Sequence, residues 1–341
     1  MQILFLNHLN TEDVYSRFAD ADTVIKIRPG PIADPADVLS PEESRAADAI
    51  VNGSAVHDIG PIAPFSNCRI AVRMGVGYDN LDLAAWGARG VPVCNVPDYG
   101  TSEVADHAIA LMLALARGTS TYIPAIEADP VGGWKWNAAP LVRRLRGAVF
   151  GVIGLGRIGL SAALRARGFG MEIAFYDPYL PNGVELAVGA RRVHSAGDLV
   201  AISDVVSLHA PLTDATRGII GRETLARARP DLIVVNTARG PLVDLDALYD
   251  ALQQRRIGGA ALDVLPQEPP DANQKLIRAL HERADFLRGR LVITPHAAFY
   301  SPAAIEDIRR KTVEVVLHYL RDGRLTNCVN TEFLRRPNTC I

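Results

Sequence analysis

Val149-Phe150-Gly151-Val152-Ile153-Gly154-Leu155-Gly156-Arg157-Ile158-Gly159 is the stretch that decides how this chain is read. The apolar run 149–153 predicts a buried strand, and the glycines that follow fall at a strand-to-helix turn ahead of the helical pattern 160–166. Such a turn uses Gly154 for the tight reversal, Gly156 for close approach of a pyrophosphate and Gly159 for packing of helix on strand. The helix amino terminus adds unpaired N–H groups and partial positive charge, Arg157 is placed to touch a phosphate, and Ile158 belongs to the same turn. A glycine triplet alone also suits an ordinary structural loop. Asp177 shifts the balance, because it ends the next predicted strand about twenty residues on, where a carboxylate can accept both ribose hydroxyls of an adenosine. The same charge repels a 2′-phosphate, so NAD is expected over NADP. The competing reading of Asp177-Pro178 is a simple turn.

Outward from this motif, strand patterns recur at 172–176, 205–208, 232–235, 260–262 and 291–293, mostly separated by helical patterns. With 149–153 they make a six-strand nucleotide-type sheet. Before it, apolar runs at 3–6, 24–27, 49–51, 70–72 and 91–93 predict an earlier parallel α/β unit. An Ala/Leu-rich helix at 102–117, with Thr101 and Ser102 as candidate caps, reads as a connecting or a dimer-forming helix. The final helix, near 302–321, lies beyond the last strand and is expected to return to the first unit. The expected fold is therefore α/β with two doubly wound domains. A Rossmann NAD-binding domain, 100–299, is inserted in a discontinuous flavodoxin-like substrate-binding domain, 1–99 and 300–341.

The bulk properties bound the function. At 341 residues the chain is long enough for two cores, and 48% hydrophobic with 22% charged residues is the composition of a globular protein. A net charge of -2 without a dense Lys/Arg tract argues against nucleic acid and against an anionic membrane as partners. The apolar run 3–6 is too short for a signal-peptide core, which makes the cytoplasm the expected location. Cys68, Cys94, Cys328 and Cys340 are scattered without close pairs, and are read as reduced bystanders with no metal site.

Three later segments each leave polar residues at the carboxyl end of a predicted strand: Asn236-Thr237-Ala238-Arg239, Asp263-Val264-Leu265-Pro266-Gln267-Glu268 and Thr294-Pro295-His296. Reduction of a 2-keto acid needs a hydride at the carbonyl carbon, a proton on its oxygen and a cation for the carboxylate. His296 can give the proton, Glu268 can fix its tautomer, and Arg239 can engage carboxylate and carbonyl together. Singly, each has a bland alternative: a surface cation, a loop carboxylate, a helix-capping histidine. Thr237, Ala238 and Asp263 are assigned to the cofactor, Asp263 facing the nicotinamide carboxamide, with a turn carboxylate as its alternative. In the first unit, Arg73-Met74-Gly75-Val76-Gly77 follows a strand. The amides of Val76 and Gly77 are assigned to the substrate carboxylate with Arg73 as a second cation, and Asp79 and Asn80 are expected to cap a helix starting near Leu81.

These segments, with Val152 to Gly159, make the chain resemble the D-isomer-specific 2-hydroxyacid dehydrogenases over nearly its whole length. The resemblance implies the Arg239/Glu268/His296 roles, a small 2-hydroxy or 2-keto acid substrate and a homodimer joined through the nucleotide domains. Within that family the chain is most similar to the C-terminal binding protein branch, through Tyr176-Asp177-Pro178-Tyr179-Leu180, Pro295-His296-Ala297-Ala298-Phe299-Tyr300-Ser301 and Asn327-Cys328-Val329-Asn330. That branch includes corepressors, so an NAD(H)-sensing scaffold with weak turnover is the rival to an enzyme. Phe299 stands where its pattern usually has Trp. Glu268 and Val76 differ from the Gln of formate dehydrogenases and the Lys of phosphite dehydrogenases. Trp134 and Trp136 lie in a region that reaches the partner subunit's active site in some relatives; a packing role is the alternative.

Overall fold

The computed structural model describes residues 1–8, 13–32, 34–53 and 62–334, so Cys340 lies outside the described residues. The chain divides into two compact units, Met1–Gly100 with Tyr300–Ile341, and Thr101–Phe299.

The first unit holds β1 (Gln2–His8), β2 (Val24–Pro29), β3 (Ala49–Asn52), β4 (Ile70–Arg73) and β5 (Val93–Asn95) in the order β2-β1-β3-β4-β5. All their ladders are parallel. Alternation puts Ile3, Phe5, Val51 and Val72 on one face, where they pack with Ile308, Val313 and Val316 of the helix Pro302–Asp322. Leu4, Leu6, Ile50 and Ala71 point to the other face, around the fully buried Trp86. The last strand begins at Val93 rather than at Val91, because Pro92 has no N–H for the ladder. The helix expected near Leu81 is Leu83–Ala88. Asp82 caps it by accepting from the Ala85 amide, so Asp79 and Asn80 are not its caps.

The second unit contains β6 (Val149–Ile153), β7 (Glu172–Tyr176), β8 (Arg191–Arg192), β9 (Val205–Leu208), β10 (Ile233–Asn236), β11 (Gly259–Leu262) and β12 (Leu291–Ile293). Their order is β12-β11-β10-β9-β6-β7-β8, with every ladder parallel. Seven strands replace the expected six. The addition, β8, is two edge residues, both arginine, with no apolar pattern to reveal it. Ile233 and Val235 face one apolar layer with Ala108 and Met112 of the helix Thr101–Ala116, whereas Val234 faces the other with Leu248 of the helix Leu245–Gln253. Thr101 and Ser102 are the first two residues of their helix rather than caps before it, and Thr101 Oγ1 is buried without a hydrogen-bond partner. A second helix, Thr119–Ala128, follows and contributes no buried residue.

Candidate functional site

Six strands of the larger sheet end on one line. Tyr176, Ile153, Leu208, Asn236, Leu262 and Ile293 are partners in that order across β7, β6, β9, β10, β11 and β12. Each candidate of this unit lies just past that line, at the carboxyl ends of the strands where open α/β sheets bind ligands.

At the glycine turn the three glycines have different reasons to be glycine. Gly154 has φ 86°, and a Cβ there would lie 2.8 Å from the backbone of Ala210. At Gly159 a Cβ would meet the Gly154 carbonyl oxygen at 2.1 Å, so helix and strand could not pack as they do. Around Gly156 a Cβ meets nothing within 4 Å. No contact inside the protein demands glycine there, and the space is open to an incoming group. Gly156 also stands immediately before the helix Arg157–Gly168, and Arg157 is exposed at its start. Asp177 is half-buried. One of its oxygens accepts from the Leu155 amide at 3.0 Å, the other from the Tyr179 amide at 3.0 Å. It therefore makes the turn and also ties the second strand to the glycine loop. A carboxylate has about four acceptor positions, so two remain for other donors.

His296 and Glu268 meet directly, with Nδ1 of the ring 2.5 Å from Oε2 of the carboxylate. The other carboxylate oxygen accepts from the Leu265 amide at 2.8 Å, which fixes the orientation of Glu268. His296 adopts φ 51°, a left-handed conformation held by its own amide donating to the Asp263 carbonyl at 2.8 Å. Its ring stands edge-on to Phe299 with centroids 6.1 Å apart. Helix capping, the bland reading of His296, is done instead by Ser301, which accepts from the Ala304 amide.

The Arg239 segment is braced by the fully buried Asn236. Its side chain donates to the Arg239 carbonyl at 2.8 Å and accepts from the Ala238 amide at 3.0 Å. Arg239 Nη1 donates to the Ala238 carbonyl at 2.8 Å. Thr237 is buried, and its Oγ1 has no hydrogen-bond partner in the protein. Asp263 is 1% exposed, and its carboxylate accepts from Thr294 Oγ1 at 2.6 Å and from the amides of Ala297 and Ala298, each at 2.9 Å. These bonds are those of a turn carboxylate organising the His296 loop. Burial pushes the Asp263 carboxyl up, but hydrogen bonds from His107, Thr294, Ala298 and Ala297 outweigh it and hold the group below its ordinary value.

His107 was not anticipated. It sits on the Ala/Leu-rich helix Thr101–Ala116 with Nε2 3.0 Å from Thr294 Oγ1 and 3.4 Å from Asp263 Oδ1. A lone histidine in an apolar helix was the signal available in sequence. His209, just past the end of β9, also escaped notice. Its Nε2 lies 2.8 Å from Ser207 Oγ, and burial brings its imidazole down to about 4.

In the first unit, Arg73 ends β4 and is 5% exposed, its guanidinium donating to the Met74 carbonyl of its own turn. Asn95 Nδ2 donates to the Val76 carbonyl at 2.6 Å, which orients the peptide between Val76 and Gly77. Both residues are half-buried. Among the described residues no group of three or more His, Cys, Asp or Glu could hold a metal ion, and no single helix is long and apolar enough to cross a membrane.

A glycine turn at the head of a parallel 3-2-1-4-5-6-type sheet, with a carboxylate after the second strand, defines the dinucleotide-binding class of α/β proteins. The chain belongs to the D-isomer specific 2-hydroxyacid dehydrogenase family, whose NAD binding domain matches residues 109–298. It is 37% identical over 293 residues to D-3-phosphoglycerate dehydrogenase of Methanocaldococcus jannaschii, covering 85% of this chain and 53% of that protein. It thus spans about half the length of the curated relatives it matches. A glyoxylate/hydroxypyruvate reductase from Sinorhizobium meliloti, solved with NADP and malonate, superposes with a TM-score of 0.81 at 27% identity, covering 98% and 99% of the two chains. D-lactate dehydrogenase from Aquifex aeolicus, solved with NAD and lactic acid, gives 0.78 at 28% identity, covering 94% and 96%.

Proposed function

We propose that the chain is an NAD-dependent D-2-hydroxyacid dehydrogenase acting on a small 2-hydroxy or 2-keto acid. The observation that carries this reading is the His296–Glu268 pair, standing past the same sheet edge as Arg239 and the glycine turn. The residues suit a dinucleotide: open space at Gly156, an orphaned buried hydroxyl at Thr237 and spare acceptor positions on Asp177. These residues would hold NAD(H), which would supply or accept the hydride at the substrate C2. His296 handles the proton. Because Glu268 engages Nδ1, that nitrogen carries hydrogen toward the carboxylate, and Nε2 is the one that exchanges a proton with the substrate oxygen. The protonated ring serves reduction and the neutral ring serves oxidation. Arg239 offers the planar fork that suits a carboxylate and its neighbouring carbonyl.

The Val76 and Gly77 amides are a further anion-binding element in this proposal, and the Asp177 charge sets the preference for NAD over NADP. A homodimer is supported by the arm after the helix Thr101–Ala116, where Ile123, Val131, Trp134 and Trp136 are all exposed large hydrophobics. The test is oxidation of NADH by the purified protein with glyoxylate, hydroxypyruvate, pyruvate, phenylpyruvate and 2-ketogluconate in turn. Turnover that disappears in His296→Ala supports the enzyme. NADH binding with no turnover above that control favours the NAD(H)-sensing scaffold instead.

A further inference from the structure

Cys94 and Cys328 are far apart in sequence yet face each other in the first unit. Cys94 is the middle residue of β5 and fully buried, and Cys328 lies partly exposed on the segment after the helix Pro302–Asp322. The two residues form an isolated antiparallel bridge. The flanking bonds run from the Asn95 amide to the Asn327 carbonyl at 3.1 Å and from the Val329 amide to the Val93 carbonyl at 2.8 Å. Bonds in those positions make Cys94 and Cys328 a non-hydrogen-bonded pair. In that arrangement Cα atoms approach to about 4.5 Å and side chains are closest. A disulfide needs Cα atoms roughly 4.4–6.8 Å apart, so the backbone already meets the requirement.

The side chains agree with the backbone. Cys328 lies near enough to the Cys94 thiol to raise its proton affinity, and Cys328 Sγ donates to Asn330 Oδ1 at 3.3 Å. Asn330 is fully buried and anchors the segment: it accepts from the Val93 amide at 2.8 Å and donates to the Val91 carbonyl at 3.1 Å and the Leu83 carbonyl at 3.4 Å. The opposed positions are therefore held from both sides.

We propose that Cys94 and Cys328 are a modification site that closes to a reversible intramolecular disulfide when a peroxide reaches Cys328. The accessible Cys328 thiol takes one oxygen from hydrogen peroxide, giving a sulfenic acid and releasing one water. The Cys94 sulfur then attacks the Cys328 sulfur, expelling its hydroxyl as a second water and forming the S–S bond. In sum two thiols are oxidised by two electrons and one peroxide is reduced to two waters. Burial pushes the Cys94 thiol well above its ordinary value, so closure is the slow step and contact with Cys328 compensates by proximity.

The primary experiment uses the full wild-type chain. Folded protein is treated with hydrogen peroxide, the excess is removed, and remaining thiols are blocked with N-ethylmaleimide under denaturing conditions before digestion and mass spectrometry. The expected result is a linked pair of peptides carrying Cys94 and Cys328, lost on reduction with dithiothreitol, while Cys68 stays blocked. Because the bond joins residues already opposed, the oxidised chain keeps or raises its melting temperature. In Cys94→Ser the link is absent and a dimedone adduct appears at Cys328. The proposal is overturned if Cys94 and Cys328 both remain blocked, if Cys328 advances to sulfinic acid beside an unmodified Cys94, if the link runs to Cys68, Cys340 or a second chain, or if oxidation lowers the melting temperature.

Discussion

At the scale of single residues, the pair His296–Glu268 and the carboxylate of Asp177 make separable predictions. His296→Ala removes the acid–base group and should lower kcat by about 10²–10⁴-fold in steady-state assays, with NADH affinity by titration little changed. Glu268→Gln keeps the shape but replaces the carboxylate that accepts from the ring Nδ1. It should cost less activity than His296→Ala yet lower kcat measurably; a variant as active as the wild type would remove Glu268 from its role beside the ring. Asp177 needs a gentler change than alanine, because it also receives the Leu155 amide of the glycine loop. Asp177→Asn should weaken NADH by about tenfold, as expected for loss of a hydrogen bond to a charged acceptor, and leave NADPH the same or tighter. Equal losses of both cofactors in fluorescence titrations would place the ribose contact elsewhere.

At the scale of elements, the strand–glycine–helix turn separates folding from binding. Gly159→Ala drives a methyl group into the Gly154 carbonyl and should destabilise the second unit by about 1–3 kcal/mol in urea unfolding. Gly156→Ala meets no protein atom, so unfolding should change by less than about 0.5 kcal/mol while NADH binding weakens. A Gly156→Ala variant that binds NADH like the wild type would mean that the open space is not the pyrophosphate approach. The His296 loop carries the pH prediction. Asp263 titrates lower in the folded chain than in the unfolded one, so its contribution to stability is full above about pH 4 and is lost as pH falls through the lowered folded value. Asp263→Asn should therefore be less stable at pH 7 by about 1–3 kcal/mol, and its stability should fall less steeply with acid than that of the wild type. Parallel acid limbs in the two proteins would refute the linkage.

These elements also show what the sequence could convey. Buried parallel strands announce themselves as apolar runs, so the sheet carrying Arg239, Glu268 and His296 was legible, as was the glycine turn. The two-residue edge strand Arg191–Arg192 had no such pattern, and Pro92 displaced β5 from the apolar run that suggested it. Side-chain bonds across elements were beyond reach, since nothing local links His107 to Thr294 and Asp263. Nor does anything local show that Asp263 supports the loop from which His296 projects.

At the scale of the whole molecule, long-range return of the chain creates features that spacing hides. Cys94 and Cys328 read as scattered thiols until the segment after the last helix returns to β5 and sets them opposite each other. The same scale governs association. The helix Thr119–Ala128 contributes no buried residue, and just beyond it Val131 is 87%, Trp134 80% and Trp136 87% exposed. Three large apolar side chains so open to water are costly unless another surface covers them, and paired aromatics of this kind dominate binding energy where they are buried. The Tyr122 hydroxyl donates to the Trp136 carbonyl at 2.6 Å, so the arm carries its tryptophans on a held backbone. The 36.8 kDa chain should sediment as a dimer at micromolar concentration. Changing Trp134 and Trp136 together to serine should weaken dimerisation by at least about tenfold, or ~1.4 kcal/mol, while leaving far-ultraviolet circular dichroism unchanged. Sedimentation velocity across a dilution series distinguishes the outcomes: a wild-type chain that stays monomeric, or a double variant that dimerises equally well, would assign the exposed arm to something other than a second copy.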